Sequence, residues 1–296
     1  MDLFLKIFPE KDLDAIFTLY MEVIMILDYS RYVSEKGHKG LVNYIFTESQ
    51  LPLFSHKSIC PFCKIEINNE IYSKSKHEYP DWLFGSFDQW EEVIQCPNCG
   101  WWEYKYQNSS DAIIDGIRAS DIEYSSAILK EYDNSSSEVP IEALRKELLR
   151  KKDIIYSIDT HKMEELVRSV LADFYPSCKV YEFGKTRDGG KDGILVDDDE
   201  SQILLQVKRR MNPNSTESVI ALRELMGVSL LYDNVKGCIF VTTADHYSPE
   251  AKEYAKAMET RHKVETFELI DCKEFLKRID LTKDCLPTVW ETLLKL

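Results

Sequence analysis

The sequence has no uncharged apolar run long enough to cross a bilayer. The stretch from Leu3 to Leu27 looks apolar, but Lys6, Glu10, Lys11, Asp12, Asp14 and Glu22 interrupt it, and a spanning helix needs about 20 consecutive apolar residues. No membrane span is expected. A basic leader is missing too, since Asp2 sits where an export signal carries positive charge, so the chain is expected in a reducing cytoplasm. Positive charge is scarce: 37 Lys and Arg stand against 51 Asp and Glu, a net charge of −14 over 296 residues. That balance excludes a protein that coats nucleic acid through its whole surface, because such binding grows with the number of phosphates neutralised. The deficit is spread along the chain, with 17 basic against 26 acidic side chains in residues 1–154 and 18 against 23 in residues 155–280. Any polyanion must therefore meet a local basic patch. Lys185, Arg187, Lys191, Lys208, Arg209, Arg210 and Arg223 are the candidates. Taken one at a time, each is more simply a solvated surface charge. No internal repeat stands out.

What is present suits a globular chain of about two domains, 44% hydrophobic and 30% charged. Residues 1–54 read as helical, with Leu13, Ile16, Phe17, Tyr20, Ile24 and Leu27 at three- and four-residue steps. Residues 55–106 hold paired cysteines, many aromatics and strand-like alternation such as Trp102-Glu-Tyr-Lys-Tyr. Residues 107–154 read as a helical connector, with one helix over 111–132 and another over 139–152 behind Pro140. From 155 to 280 strands alternate with helices, which implies a mixed α/β sheet covered on both faces. Asp159 or Thr160 caps a helix there, strands follow near 178–184, 192–196 and 202–208, and Ser248-Pro-Glu opens a later helix. Residues 281–296 form a C-terminal helix or tail.

Eight cysteines divide into two CxxC pairs and four singletons. Cys60-Pro-Phe-Cys63 and Cys96-Pro-Asn-Cys99-Gly100 are two knuckles whose tight turns let four thiolates reach one tetrahedral Zn²⁺. Four sulfurs leave no open position for water, so this zinc is structural. Trp82, Phe84, Phe87, Trp90, Trp101, Trp102, Tyr104 and Tyr106 crowd the same region. Aromatic faces can stack on bases or enclose a methylated group, and equally they can build the core of a small metal-pinned fold.

The chemistry concentrates in Asp188-Gly-Gly-Lys-Asp192-Gly-Ile-Leu-Val and the strand Ile203-Leu-Leu-Gln206-Val-Lys208. Asp197-Asp-Asp-Glu-Ser201 is a polar turn that makes a hairpin of the two strands. Residues two apart on a strand share a face, so Gln206 and Lys208 lie together beside Asp192. Hydrolysis of a phosphodiester needs charge neutralised on the scissile group, a water activated and the leaving oxygen stabilised. A divalent ion on hard oxygen ligands meets these needs. Asp192 and Gln206 can hold Mg²⁺ or Mn²⁺, Lys208 can orient or deprotonate the attacking water, and Glu164 can add a carboxylate at the ion's outer edge.

These residues, in this order, resemble the Mrr-like restriction endonucleases, a branch of the PD-(D/E)xK nuclease superfamily. Met163-Glu164-Glu-Leu-Val167 is similar to the family's acidic helix, Asp188-Gly-Gly-Lys-Asp192 to its DGGxD turn and strand, and Gln206-Val-Lys208 to QxK. Leu222-Arg-Glu-Leu-Met-Gly227, Lys236-Gly-Cys-Ile-Phe-Val-Thr-Thr243 and Ser248-Pro-Glu-Ala251 follow in the family's order. The resemblance covers residues 161–276. It implies a restriction-endonuclease-like mixed sheet flanked by helices, and DNA cleavage with Asp192, Gln206 and Lys208 as catalytic core and Glu164 as helper. Two departures are a Met163 where an aromatic is usual and an acidic domain where a DNA enzyme is normally neutral or basic.

The leading expectation is a cytoplasmic, Mg²⁺-dependent DNA endonuclease of restriction or antiviral defence. It would act as a homodimer because a duplex has two strands, with a defence-system partner protein bringing in substrate. The alternative is a catalytically inactive nuclease-like adaptor that binds nucleic acid or protein through its zinc ribbon. It is motivated by the acidic surface and by the neutral Gln206 where relatives carry a carboxylate.

Overall fold

A computed structural model describes residues 25–39, 59–67, 70–79, 85–112, 118–182 and 192–296. They fall into two compact units. One is built from Tyr132–Leu286 with the start of the first strand, the other from Leu27–Glu131 with Pro287–Leu296.

The second unit is a five-stranded sheet. Its strands are β1 (Met25–Lys39), β2 (Tyr72–Glu78), β3 (Gly85–Gln95), β4 (Trp102–Ala112) and β5 (Arg118–Asp133), in spatial order β1-β5-β4-β3-β2. The antiparallel register sets Val93 opposite Tyr104 and Glu91 opposite Tyr106. Trp102, Tyr104 and Tyr106, at period two, are buried with Val93, Trp101 and the cysteines in one core. The final residues complete that core, with Val289, Trp290, Leu293, Leu294 and Leu296 packed against it.

The helix expected over 111–132 is a strand from Arg118 onward. Ser120, Ile122 and Tyr124 are buried at period two and pair with β4. The helical reading of residues 1–54 likewise gives way to strand β1 over Met25–Lys39, while 1–24 and 40–54 lie outside the described residues. Among the described residues of the 107–154 connector the α-helix is α1 (Ile141–Arg150), in its second half. Leu144 and Leu148 of α1 lie in the core of the first unit. Within 281–296, expected as a helix or tail, the chain forms 3-10 turns over Lys283–Cys285 and Val289–Leu293.

The first unit alternates as the sequence implied. After α1 come α2 (Thr160–Phe174), β6 (Lys179–Tyr181), β7 (Gly193–Val196), β8 (Gln202–Lys208), β9 (Thr216–Glu217) and α3 (Val219–Ser229). Then follow β10 (Val235–Thr242), β11 (His246–Tyr247), α4 (Pro249–Thr260), β12 (Thr266–Ile270) and α5 (Cys272–Leu281). The sheet runs β12-β10-β8-β7-β6. Its β8, β10 and β12 are parallel, β7 runs antiparallel to β8, and β6, antiparallel to β7, runs with the parallel strands. On one face Leu195, Leu205, Val207, Ile239 and Val241 meet α1, α2 and α5. On the other Ile194, Leu204, Cys238 and Phe240 meet α3 and α4. This is the mixed, doubly covered α/β sheet the alternation predicted. The caps follow local chemistry: Asp159 accepts from the backbone N–H groups of His161 and Lys162, Ser248 from Ala251 and Asp271 from Glu274. Among the described residues no helix is long and apolar enough to cross a membrane.

Candidate active site and metal centre

The hairpin β7–β8 builds the acidic site. The β7–β8 ladder ends at Gly193 opposite Leu205, and Asp192, one residue earlier, lies beside the Leu205–Val207 stretch of β8 that carries Gln206. The backbone N–H of Asp192 donates to the Leu205 carbonyl at 2.9 Å, and its Oδ2 accepts from the Val207 N–H at 2.7 Å. Both ends of the residue are thereby fixed to β8. Arg168 of α2 donates to the Asp192 carbonyl at 3.0 Å. That approach needs Gly193, where a Cβ would lie 3.2 Å from the Tyr181 carbonyl and 3.3 Å from Arg168 Cδ.

Gln206 is 1% exposed, and its Oε1 is buried with no hydrogen-bond partner among the described residues. An unmade bond on a buried acceptor costs about 1–3 kcal/mol, so this carbonyl oxygen, beside a carboxylate, suits a hard cation. Lys208 closes β8 on the same face of the strand as Gln206. Its carbonyl accepts from Thr243 N at 3.2 Å and from Thr242 Oγ1 at 3.1 Å. Its side chain is half-buried, and no ion pair to its ammonium occurs among the described residues. Glu164 lies one helical turn before Arg168 on α2, and its carboxylate pairs with His161 Nδ1 at 3.6 Å. The helix that carries it is thus tied to Asp192 through Arg168.

The basic candidates divide. Lys185, Arg187 and Lys191, with Asp188, lie outside the described residues. Arg209 turns its guanidinium to the Tyr156 carbonyl at 3.1 Å. Arg210 forms a two-pronged pair with the fully buried Glu217, at 2.9 and 2.6 Å, which raises its pKa. Arg223 sits 5.8 Å over the Tyr254 ring. Arg209 and Arg210 therefore hold the turn after β8. Sequence reading missed Glu217, whose Oε2 also accepts from Thr242 Oγ1 at 2.9 Å. The network anchors the backbone just beyond Lys208, and nothing in the local sequence marks it, because its members come from three separated segments.

The four paired cysteines meet. Their sulfurs all lie within 4.8 Å of one another, with Cys60 Sγ 3.5 Å from Cys99 Sγ and Cys63 Sγ 3.3 Å from Cys96 Sγ. The two knuckles are built alike: Cys60 N bonds the Ile65 carbonyl and Cys96 N the Trp101 carbonyl. Each turn is closed by a residue of positive φ, Lys64 at 57° and Gly100 at 83°. Burial pushes the Cys99 thiol up to about 12. At Cys63 burial acts the same way, but the Ile65 backbone N–H and the neighbouring Cys96 outweigh it, and the thiol falls to about 7. Sulfurs this close become thiolates together only around a cation, and the donor set suits a structural tetrahedral ion. Of the aromatics, Trp101, Trp102, Tyr104 and Tyr106 are buried. Trp101 Nε1 donates to the Ala127 carbonyl at 2.8 Å and Trp102 Nε1 to the Tyr29 carbonyl at 3.1 Å. These four are core. Trp82 and Phe84 lie outside the described residues.

Residues 155–279 match the family model of Mrr-type restriction endonucleases. Among solved structures the chain is similar to a repair endonuclease from Pyrococcus abyssi, with 12% identity, 89% of this chain and 95% of that one covered, and a TM-score of 0.24. It is also similar to restriction endonuclease FokI bound to DNA, with 11% identity, 57% of this chain and 36% of that one covered, and a TM-score of 0.31. No curated protein matches it.

Proposed function

With residues 155–279 a domain of the restriction endonuclease family, we propose that this protein is a divalent-metal-dependent DNA endonuclease of restriction or antiviral defence, working in the cytoplasm. One observation carries the reading: the orphaned Gln206 Oε1 on the stretch of β8 beside Asp192, with Lys208 two residues further along the same face. Asp192 and Gln206 are the residues that would hold Mg²⁺ or Mn²⁺. Such an ion neutralises the scissile phosphate and acidifies water. Asp192, fixed through its Oδ2 and its carbonyl, presents a carboxylate that needs no reorganisation. Lys208 offsets charge developing on the phosphate and orients the attacking water. Glu164 receives a water at the rim. Zn²⁺ on Cys60, Cys63, Cys96 and Cys99 pins the second unit, which serves to recognise substrate or a defence-system partner protein. A homodimer supplies one site for each strand of the duplex. Lys185, Arg187 and Lys191 are proposed to contact phosphates.

The test is incubation of purified protein with plasmid, with and without Mg²⁺ or Mn²⁺, beside Lys208→Ala. Metal-dependent nicking that the variant loses supports the assignment; equal nicking by both removes it. The net charge of −14 and the neutral Gln206 favour a second reading, a nuclease-like adaptor without activity. DNA binding without cleavage under any metal condition would establish that reading instead.

A further inference from the structure

The outer face of α3 and the turn that follows it are exposed. Ala221, Leu222, Leu225 and Met226 face the core, whereas Ile220 is 62%, Leu230 70% and Leu231 80% exposed. Residues three and four apart share a helix face, so Ile220, Arg223, Glu224 and Gly227 form one outward stripe, with Leu230 and Leu231 exposed in the turn just beyond the helix. A Cβ added at Gly227 meets nothing within 4 Å, which leaves a hollow in the stripe. Arg223 and Glu224, side by side at its centre, are both exposed, and neither forms an ion pair among the described residues.

The stripe is complementary to itself. A two-fold axis between Arg223 and Glu224 lays a second, antiparallel α3 across the first and sets Arg223 opposite Glu224 of the copy. Ile220 lies three residues before Arg223 and Gly227 three residues after Glu224. The same rotation therefore brings each Ile220 over the hollow at Gly227 of the other copy. Two ion pairs and two knob-into-hole contacts follow from one operation. Copies of a chain with net charge −14 repel one another over most of their surface, and this patch, with one cation, one anion and exposed aliphatics, is locally neutral.

We infer that α3 is the contact surface for a second copy of this chain, in an isologous antiparallel pairing. The inference rests on the homodimer of the proposed function and gives it an address. It also ties assembly to the site, because α3 begins two residues after Glu217, whose carboxylate bonds Thr242 and Arg210 beside Lys208. A single helix of 11 residues falls short of the roughly 800 Å² per partner of a standard interface, so association of the free protein is weak and concentration-dependent.

Sedimentation velocity over a wide concentration range, without DNA or divalent metal, reads this separately from cleavage. Wild type shifts from monomer toward dimer. Arg223→Glu alone and Glu224→Arg alone each place like charges together and raise the dissociation constant about tenfold. The double exchange R223E/E224R keeps the two-fold pairing and restores association. Under mild oxidation I220C/G227C forms a covalent dimer, whereas each single cysteine variant gives no more than wild type. A wild type monomeric at every concentration, single reversals without effect, or a double exchange that fails to restore dimer would overturn the inference. Monomers that nevertheless cleave DNA would overturn it while leaving the nuclease reading intact.

Discussion

Replacing Gln206 by Met should make the metal-free protein more stable and the metal-loaded protein inert. Gln206 is 1% exposed and its Oε1 has no partner among the described residues, so the fold carries a desolvated acceptor that costs about 1–3 kcal/mol. Methionine keeps the length and nearly the volume, and such swaps disturb a core little. In EDTA the variant should therefore gain about 1–2 kcal/mol, roughly 2–4 °C in melting temperature per kcal/mol for a unit of this size. Added Mg²⁺ or Mn²⁺ should reverse the order. An ion that binds only the folded form stabilises wild type by about 2.7 kcal/mol at a hundred times its dissociation constant, and the variant should gain none of it. Thermal denaturation in the two buffers, followed by circular dichroism, checks both halves. A variant less stable than wild type in EDTA would show that the amide is satisfied within the fold. Equal stabilisation of both proteins by the ion would show that Gln206 is no ligand. Either result refutes the reasoning that joins burial to metal binding.

Cys60→Ser should reduce bound zinc from about one ion per chain to none, measured by plasma mass spectrometry, and should melt the second unit, since a structural zinc site supplies on the order of 10 kcal/mol; unchanged zinc content would refute the cluster. Deletion of residues 287–296 removes the Lys295 and Leu296 backbone N–H groups that donate to the buried Glu91 carboxylate at 2.8 and 3.1 Å, leaving it the Tyr72 and Tyr104 hydroxyls. The loss should cost about 3 kcal/mol and speed amide exchange in β3 and β4, and unaltered protection there would count against the tail as part of that core. Burial pushes the Cys238 thiol up to about 12, while an unfolded thiol ionises near about 8.5. Its contribution is therefore complete below that lower value and is lost as pH rises toward the upper one, at up to about 1.4 kcal/mol per pH unit. Cys238→Ala should flatten the fall in stability of the first unit above pH 9, and parallel curves for the two proteins would contradict this.

The nuclease unit was legible because its signals are local. Asp159, Ser248 and Asp271 cap helices at positions their own sequence marks, and the polar turn at Asp197-Asp-Asp-Glu200 dictates the β7–β8 hairpin and so the placement of Asp192 beside the stretch of β8 that carries Gln206. The cysteine knuckles were legible for the same reason, since a CxxC turn is complete within a few residues. Strand β5 was not. Its apolar spacing serves a helix as well as a strand, and pairing with β4, over a register from Glu103 opposite Ser126 to Asp111 opposite Arg118, decides between them.

Sequence alone therefore determined the chemistry on offer: four thiols in two knuckles, and a carboxylate, an amide and an ammonium on adjoining strands, because each pattern closes over a short stretch of chain. Tertiary structure alone decided which charges remain available. Arg210 is held by Glu217 and Thr243, which reach it from other segments, Gln206 Oε1 is left without a partner among the described residues, and Glu91 takes two of its donors from Lys295 and Leu296. Whether a polar group is satisfied depends on neighbours far away in sequence, and only the packed fold brings those neighbours together.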